Sequence, residues 1–386
     1  MKFIDEIDSE KYIKNKRVLL RVDFNVPIDY RGLIADDSRI KEALPTINYI
    51  LGKKPGQLII ISHLGRPGGE KIQKYGMEKV AKALEKIMNK SVYFVDDCLK
   101  EIPEDKNIVL LENLRFYKEE ENNNKDFAKK LAEKADLYVN DGFAVCHRKH
   151  ASVHSVTKFI PGTAGLLVKK ELTVLNEKWE NPVVMIIGGS KLSTKLRLIR
   201  NIINKYDNVL LGGAMIFTFY RAMNMEIGKS LCENEYLMDA KLMKNNPKLI
   251  LPGDVVICED SEGKGNIKTV PVENIPEGWI GLDLGEKTIK DYRKKLKNAQ
   301  TVIWNGPLGK FEIEKFNNSS LKIAEFLVKN KKKVIIGGGD TLKALEKYKN
   351  KFYYASTGGG SFLSYLSGEE MPALKALDEN EVEFFL

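Results

Sequence analysis

No stretch of this 386-residue chain supplies the roughly 18–20 consecutive apolar residues of a membrane span. Its four cysteines, Cys98, Cys146, Cys232 and Cys258, are widely scattered and never form C-x-x-C, so neither a zinc knuckle nor a disulfide framework is indicated. The N-terminal MKFIDEIDSEKY is charged and lacks the apolar centre of a secretory signal. There is no H-E-x-x-H and no Ser/His/Asp order in a nucleophile-elbow context, which removes support for a hydrolase. Low-complexity segments, a long basic tail and an aromatic-rich RNA-binding motif are also missing. The expectation is a protein of the reduced cytoplasm that binds neither membrane nor nucleic acid. Its net charge of +9 favours anionic partners in general, so the positions of particular cations matter more than the total.

What is present is a regular alternation of short apolar runs and helical stretches. In the first half the strand-like runs are 17–24, 58–62, 92–95, 108–111 and 137–139; in the second they are 183–187, 208–211, 301–304, 334–336 and 352–355. Between them lie amphipathic stretches such as 77–90, with Val80, Leu84, Ile87 and Met88 on one face. This pattern predicts α/β architecture: two doubly wound, Rossmann-like parallel-sheet lobes with a cleft between them. The segment PGTAGLLVKKELTVLNEKW (161–179) reads as the boundary, where a helical run bridges the two lobes.

Ligands of such sheets bind outside the C-terminal ends of the strands, and the two halves place different chemistry there. The first half carries Asp23, Asn25, His63, Arg66, Arg115, Asn140, Asp141 and Arg148, with Arg39 after a turn-like DYRGLIADDS. Guanidinium groups suit phosphate and carboxylate, so several converging at strand ends would form an anion site; singly, each fits a surface or structural role. Asp23 reads as a hydroxyl acceptor or as half of an internal salt bridge. The second half carries glycines: 188–189, 212–213, 306, 337–339 and 358–360. Bare backbone before a helix suits a polyphosphate, and two triplets, each with hydroxyl or carboxylate neighbours, favour that over plain tight turns.

GGSKLSTKLRLI (188–199) places Lys191 and Lys195 four apart, hence on one helix face turned to phosphate or to water. Asp340 reads as a Mg²⁺ ligand or a helix N-cap, and Glu312 as a ribose acceptor or a turn residue. Gly228-Lys229-Ser230 is not a P-loop, because Met223 stands where its first glycine belongs. Gly337–Gly339 is not a dinucleotide fingerprint either, because Leu342 replaces the third glycine. Two lobes with two kinds of site imply transfer of a group between two ligands. A carboxylate acceptor, with a pKa of about 4, needs no general base at neutral pH, which accounts for the lack of an evident one.

Seven motifs in order, RVDFNVP (21–27), SHLGRP (62–67), ENLRF (112–116), GGSKLSTKL (188–196), WNGPLGKFE (304–312), GGGDT (337–341) and STGGGS (356–361), resemble the phosphoglycerate kinase family nearly end to end. The resemblance implies Mg²⁺-dependent phosphoryl transfer between 1,3-bisphosphoglycerate and ADP, giving 3-phosphoglycerate and ATP. It implies a glycerate lobe at 1–164, an interdomain helix at 165–179, a nucleotide lobe at 180–371 and a segment 372–386 returning to the first lobe, as a monomer whose lobes close on their ligands. By motif match the glycerate residues are Asp23, Phe24, Asn25, Arg39, His63, Leu64, Gly65, Arg66, Arg115 and Arg148. The nucleotide residues are Gly189, Lys195, Gly213, Gly281, Glu312, Gly338, Gly339, Asp340 and Thr341, with Asp340 at the metal. The catalytic set is Arg39, Lys191, Lys195, Gly358, Gly359 and Gly360.

The chain departs from the family pattern at NDGFAVCHRKH (140–150), against the usual NDAFGTAHRAH, and at Glu286, where proline is common. Ser364 replaces a frequent glutamate and receives no role. A nucleotide-binding regulatory protein that has lost catalysis would be favoured by loss of Arg39, Lys191, Lys195 or Asp340, and all four are present. An RNA-binding protein would require the strongly salt-dependent binding of a basic surface.

Overall fold

The computed structural model describes residues 1–385 and forms two compact units. One comprises Met1–Asn176 together with Glu370–Leu386, the other Glu177–Glu369.

Six parallel strands make the first sheet: β1 (Arg17–Arg21), β2 (Gln57–Ile61), β3 (Tyr93–Val95), β4 (Ile108–Leu111), β5 (Leu137–Asn140) and β6 (Gly162–Ala164). Their order is β3-β4-β2-β1-β5-β6, so the chain leaves β1 toward one edge and returns to its other side with β5. β2 and β4 are buried along their whole length, which is why they read as unbroken apolar runs rather than alternations. The helix Ser38–Gly52 turns Ile40, Ala43, Ile47 and Ile50 into the core beside Val18, Leu20, Leu58 and Ile60. Strand β6 occupies the start of the boundary segment 161–179, and the helical run within that segment spans Leu166–Leu175. Asp141 starts that helix by accepting from the Leu167 amide at 2.8 Å, satisfying a first-turn donor.

The C-terminal helix Pro372–Phe384 packs within the same unit through Asn380. This buried side chain accepts from the Gly162 amide at 2.6 Å and donates to the carbonyls of Thr157 (2.5 Å) and Ile160 (2.9 Å). Replacing it with leucine strands three buried backbone groups, at about 1–3 kcal/mol each. We expect Asn380→Leu to lower unfolding stability by about 3–5 kcal/mol in denaturant titration; a loss under about 1 kcal/mol would contradict this role.

The second unit repeats the theme with β7 (Val183–Ile187), β8 (Asn208–Leu211) and β9 (Leu249–Ile250), then β13 (Thr301–Asn305), β14 (Lys333–Gly337) and β15 (Tyr354–Ser356). Their order is β15-β14-β13-β7-β8-β9, so the topology switches direction between β7 and β13. At that switch point two glycines meet. A Cβ on Gly188 would stand 2.0 Å from Pro307 O, and one on Gly306 would stand 2.1 Å from Gly188 O.

Between the two halves of this sheet lies an element that the apolar-run pattern does not reveal. β10 (Asp254–Cys258), β11 (Ile267–Pro271) and β12 (Ile280–Leu284) form a separate antiparallel sheet in the order β11-β10-β12. The two parallel sheets expected are both present, and this small antiparallel sheet is an addition to them. β11 is mostly exposed and carries Lys268 and Thr269 rather than an apolar run.

Candidate active site

In the first unit the polar residues after β1, β2 and β4 form one hydrogen-bonded and ion-paired group, and Arg148 after β5 adds its charge to it. Asp23, just past β1, is ion-paired with Arg39 on the first turn of the helix Ser38–Gly52. The internal salt bridge, one of the two readings of Asp23, is thus present. Its Oδ1 also accepts from the Asn25 amide at 3.1 Å and stands 3.9 Å from His63 Nδ1. Asn25 Oδ1 accepts from the Gly65 amide at 2.8 Å, and Arg115 Nη1 donates to Gly65 O at 2.8 Å. Arg115 Nε lies 3.2 Å from Glu121 Oε1 without hydrogen-bond geometry.

Burial lowers the affinity of these cations for their protons, carrying Arg115 down to about 10 and lowering Arg39 and Arg148, all still charged at neutral pH. Arg66 further lowers Arg148, which places the exposed Arg66 in the same electrostatic group. His63 feels all of this. Burial first, then Arg21, Arg115, Arg39 and Arg148, drive its pKa well below the usual 6.5. Phe24 and Leu64 have buried side chains, and their amides are held by Ser62 Oγ (2.8 Å) and Asn113 Oδ1 (3.2 Å). They brace the loops from within.

The second unit holds a cavity of about 360 Å³. Gly189, Gly213, Gly281, Glu312 and Asp340 line it, with an apolar wall that includes Phe217, Leu231 and Leu308. That mix of apolar wall and few polar groups is the character of a small-molecule site. Lys195 Nζ donates to Asn305 Oδ1, and burial lowers its pKa to about 8 although Asp340 pulls the other way. Thr341 is buried, and its hydroxyl accepts from the Gly306 amide at 2.7 Å while donating to Gly337 O at 2.8 Å. It locks the glycine loop to the end of β13. Gly338 caps the helix Gly339–Ala344, so Asp340 sits in its first turn, exposed, and is not the N-cap. Gly359 precedes the helix Gly360–Leu366, and the Gly358 amide already donates to Ser356 Oγ at 3.0 Å.

One expectation is overturned. Lys191 and Lys195 do not share a helix face, because the helix begins only at Leu196. Glu233 accepts from the Ser193 amide (2.9 Å) and hydroxyl (2.6 Å), and Thr194 Oγ1 donates to Lys191 O (2.9 Å). Such side-chain bonds hold the segment as a turn. Lys191 faces solvent while Lys195 turns partly inward.

The departures from the family pattern are locally accommodated. A Cβ at Gly142 would stand 3.2 Å from Val145 Cγ2, so the glycine leaves room for the larger valine. Cys146 is fully buried, and burial pushes its thiol up to about 12, leaving an inert filler. Glu286 opens the helix Glu286–Lys297, pairs with Lys322 and does not line the cavity. An acidic side chain there complements the helix N-terminus.

Residues given no role from sequence also hold the site together. Asn113 bridges the loops after β2 and β4, accepting from Arg115 N at 3.0 Å and donating to Leu64 O at 2.7 Å. Asn305 donates to Gly337 O at 2.5 Å while its other end holds Lys195. Both lie within quoted motifs, ENLRF and WNGPLGKFE, which was the available signal.

Comparison with known proteins matches these features. The family model described as Phosphoglycerate kinase aligns with residues 7–369. A phosphoglycerate kinase from Nostoc sp. is 45% identical, covering 95% of this chain and 96% of its own length. One from Aquifex aeolicus is 42% identical over 96% and 97%. Among solved structures, phosphoglycerate kinase from Coxiella burnetii superposes with a TM-score of 0.84 at 37% identity, covering 98% of each chain. The Pyrococcus horikoshii OT3 enzyme gives 0.86 at 28% identity over 100% of each. Fold, strand-end chemistry and relatives agree: the chain belongs to the phosphoglycerate kinase family.

Proposed function

We propose that the first unit holds the glycerate and the second the nucleotide, each preparing one reactant of a phosphoryl transfer. By family the chain is a kinase, a phosphotransferase with a carboxyl group as acceptor, working between 1,3-bisphosphoglycerate plus ADP and 3-phosphoglycerate plus ATP in glycolysis and gluconeogenesis. The observation that carries the division of labour is the contrast at the strand ends: guanidinium side chains in one unit, glycine backbone around a cavity in the other.

The chemistry needs little besides charge and alignment. Toward ATP, an oxygen of the ADP β-phosphate attacks the acyl phosphorus and the bond to the carboxyl oxygen breaks. The leaving carboxylate is stable as an anion, so no proton is required. Arg39, Lys195 and Lys191 supply positive charge to the transferring phosphoryl group, and the free amides of Gly359 and Gly360 supply donors. Asp23, Asn25, His63, Arg66, Arg115 and Arg148 orient the glycerate. Gly189, Gly213, Gly281 and Glu312 receive the base and ribose, and Gly338, Gly339 and Asp340 the phosphates, with Thr341 supporting their loop.

Mg²⁺ fits as an ion carried by the nucleotide. Among the described residues no three His, Cys, Asp or Glu side chains gather as a cage, while Asp340 offers one exposed carboxylate beside the glycine loops. When bound there it neutralises phosphate charge. No helix among the described residues is long and apolar enough to cross a membrane, and we place the protein in the cytoplasm as a monomer.

Ligand titration tests the assignment. Arg115→Met should abolish 3-phosphoglycerate binding and leave Mg-ADP binding intact, and Asp340→Ala should weaken Mg-ADP binding alone. Unchanged metal dependence in the second variant would sink the role of Asp340, and loss of both ligands in either would sink the division.

Lys195 makes nucleotide affinity pH-dependent. Its pKa of about 8 in the ligand-free fold lies below its ordinary 10.5. Phosphate favours the charged form, so affinity should fall as pH rises through that value, by up to about tenfold per unit. Lys195→Met should flatten the profile. Between about 8 and 10.5 the unfolded chain retains a proton that the fold has released, so ligand-free stability gains from this group as pH rises. A nucleotide affinity independent of pH in the wild type would contradict the assignment.

A further inference from the structure

Behind the residues given to the glycerate runs a buried chain of side chains that the reaction does not itself use. Arg21 closes β1, and Glu120 lies in the short helix Lys118–Glu121; both are fully buried. A guanidinium has only donors, so the polarity of every bond around it is decided. Arg21 Nε donates to Ser152 Oγ at 2.9 Å. The serine proton then goes to Glu120, whose Oε1 is 2.6 Å away, while Glu120 Oε2 accepts from the Ser152 amide at 2.9 Å. Arg21 Nη1 donates to Val22 O, and Nη2 stands 3.2 Å from His63 Nδ1. That ring nitrogen must accept.

A competitor faces the same nitrogen. Asp23 Oδ1, 3.9 Å away, would favour a proton on Nδ1, but it is beyond hydrogen-bond distance and its carboxylate is paired with Arg39. We propose that Arg21, anchored through Ser152 by Glu120, fixes His63 in the tautomer with its lone pair on Nδ1 and its proton on Nε2. His63 is then a neutral N–H donor to the bound glycerate, not one of the cations of the anion site. The proposal rests on the reading of His63 as a glycerate ligand.

Nε2 is the available atom: among the described residues none hydrogen-bonds to it, and it is not one of the sealed polar atoms lacking a partner. The opposite tautomer would aim a lone pair at an anion. The charged groups facing the ring come from every neighbouring element: Arg21 and Asp23 from β1 and the loop after it, Arg39 from the helix Ser38–Gly52, Arg115 from the segment after β4, and Arg148 from that after β5. With burial, the arginines keep the ring uncharged at neutral pH. Arg21 acts through His63 and is a positioning residue.

The test is ¹⁵N NMR of the full-length protein with labelled histidine, assigned by His63→Gln. Between about pH 5 and 8 the His63 resonances should show a pyrrole-like Nε2 and a pyridine-like Nδ1, with no titration. Adding 3-phosphoglycerate should shift Nε2. Ser152→Ala, which frees Arg21 Nε, should mix the tautomers and raise KM for 3-phosphoglycerate about tenfold with kcat little changed, the scale of one lost charge-assisted bond. A proton on Nδ1, or an imidazolium in this range, overturns the proposal from the wild-type spectrum alone. The expected tautomer with an Nε2 resonance indifferent to 3-phosphoglycerate would overturn the donor role and the ligand reading beneath it, while leaving the control of the tautomer by Arg21 in place.

Discussion

Replacing Arg39 with alanine should lower turnover about a thousandfold while leaving nucleotide KM within about twofold. Arg39 is partly buried on the first turn of its helix, with Asp23 as its ion partner, so its guanidinium is oriented before any ligand arrives. Only an interaction stronger in the transition state than in the ground state accelerates the chemical step. A preset cation facing the oxygens of a transferring phosphoryl group meets that condition. Steady-state kinetics with each substrate varied in turn separates the effects. Arg39→Lys keeps the charge but not the planar fork, and should recover only part of the loss. Equal losses in kcat and in nucleotide affinity would remove Arg39 from the catalytic set.

Gly213→Ala should weaken nucleotide binding about a hundredfold without contact between the new methyl and the ligand. Gly213 follows β8 with φ of +68°, a region that costs an L-residue about 1–2 kcal/mol. The added Cβ would stand 2.3 Å from Gly189 O and 2.4 Å from Gly189 N. These are backbone atoms that no rotamer change can move aside. The loops after β7 and β8 must separate, and both line the cavity. Binding of 3-phosphoglycerate, which we propose belongs to the other unit, should survive. Nucleotide affinity within twofold of wild type, measured by calorimetry, would show that the close approach of these loops does not shape the site.

Much of this organisation is legible in the residues themselves. Strands buried on both faces appear as apolar runs, so β1, β2, β4, β5, β7, β8, β13 and β14 emerge directly, and the residues that follow them are those we propose for the site. Exposed or short strands leave a weaker trace. β11 is mostly exposed, with Lys268 and Thr269 side by side rather than an apolar run, and β9 spans two residues, so neither stands out from a loop. The turn holding Lys191 and Lys195 depends on Glu233, some forty positions away, and no local pattern encodes that contact. The same holds for orientation within the site. His63 and Arg115 are visible as chemistry, but the lone pair of His63 is set by Arg21, and the position of Lys195 by Asn305, across the fold.

The most direct measurement is a coupled assay of the purified protein with ATP, Mg²⁺ and 3-phosphoglycerate. The bisphosphoglycerate formed is drawn off by a dehydrogenase that oxidises NADH. NADH oxidation should require all three additions and should nearly vanish in Arg39→Ala. A folded protein that binds nucleotide yet shows no such oxidation would contradict catalysis and identify a nucleotide-binding protein that keeps the family fold without its reaction.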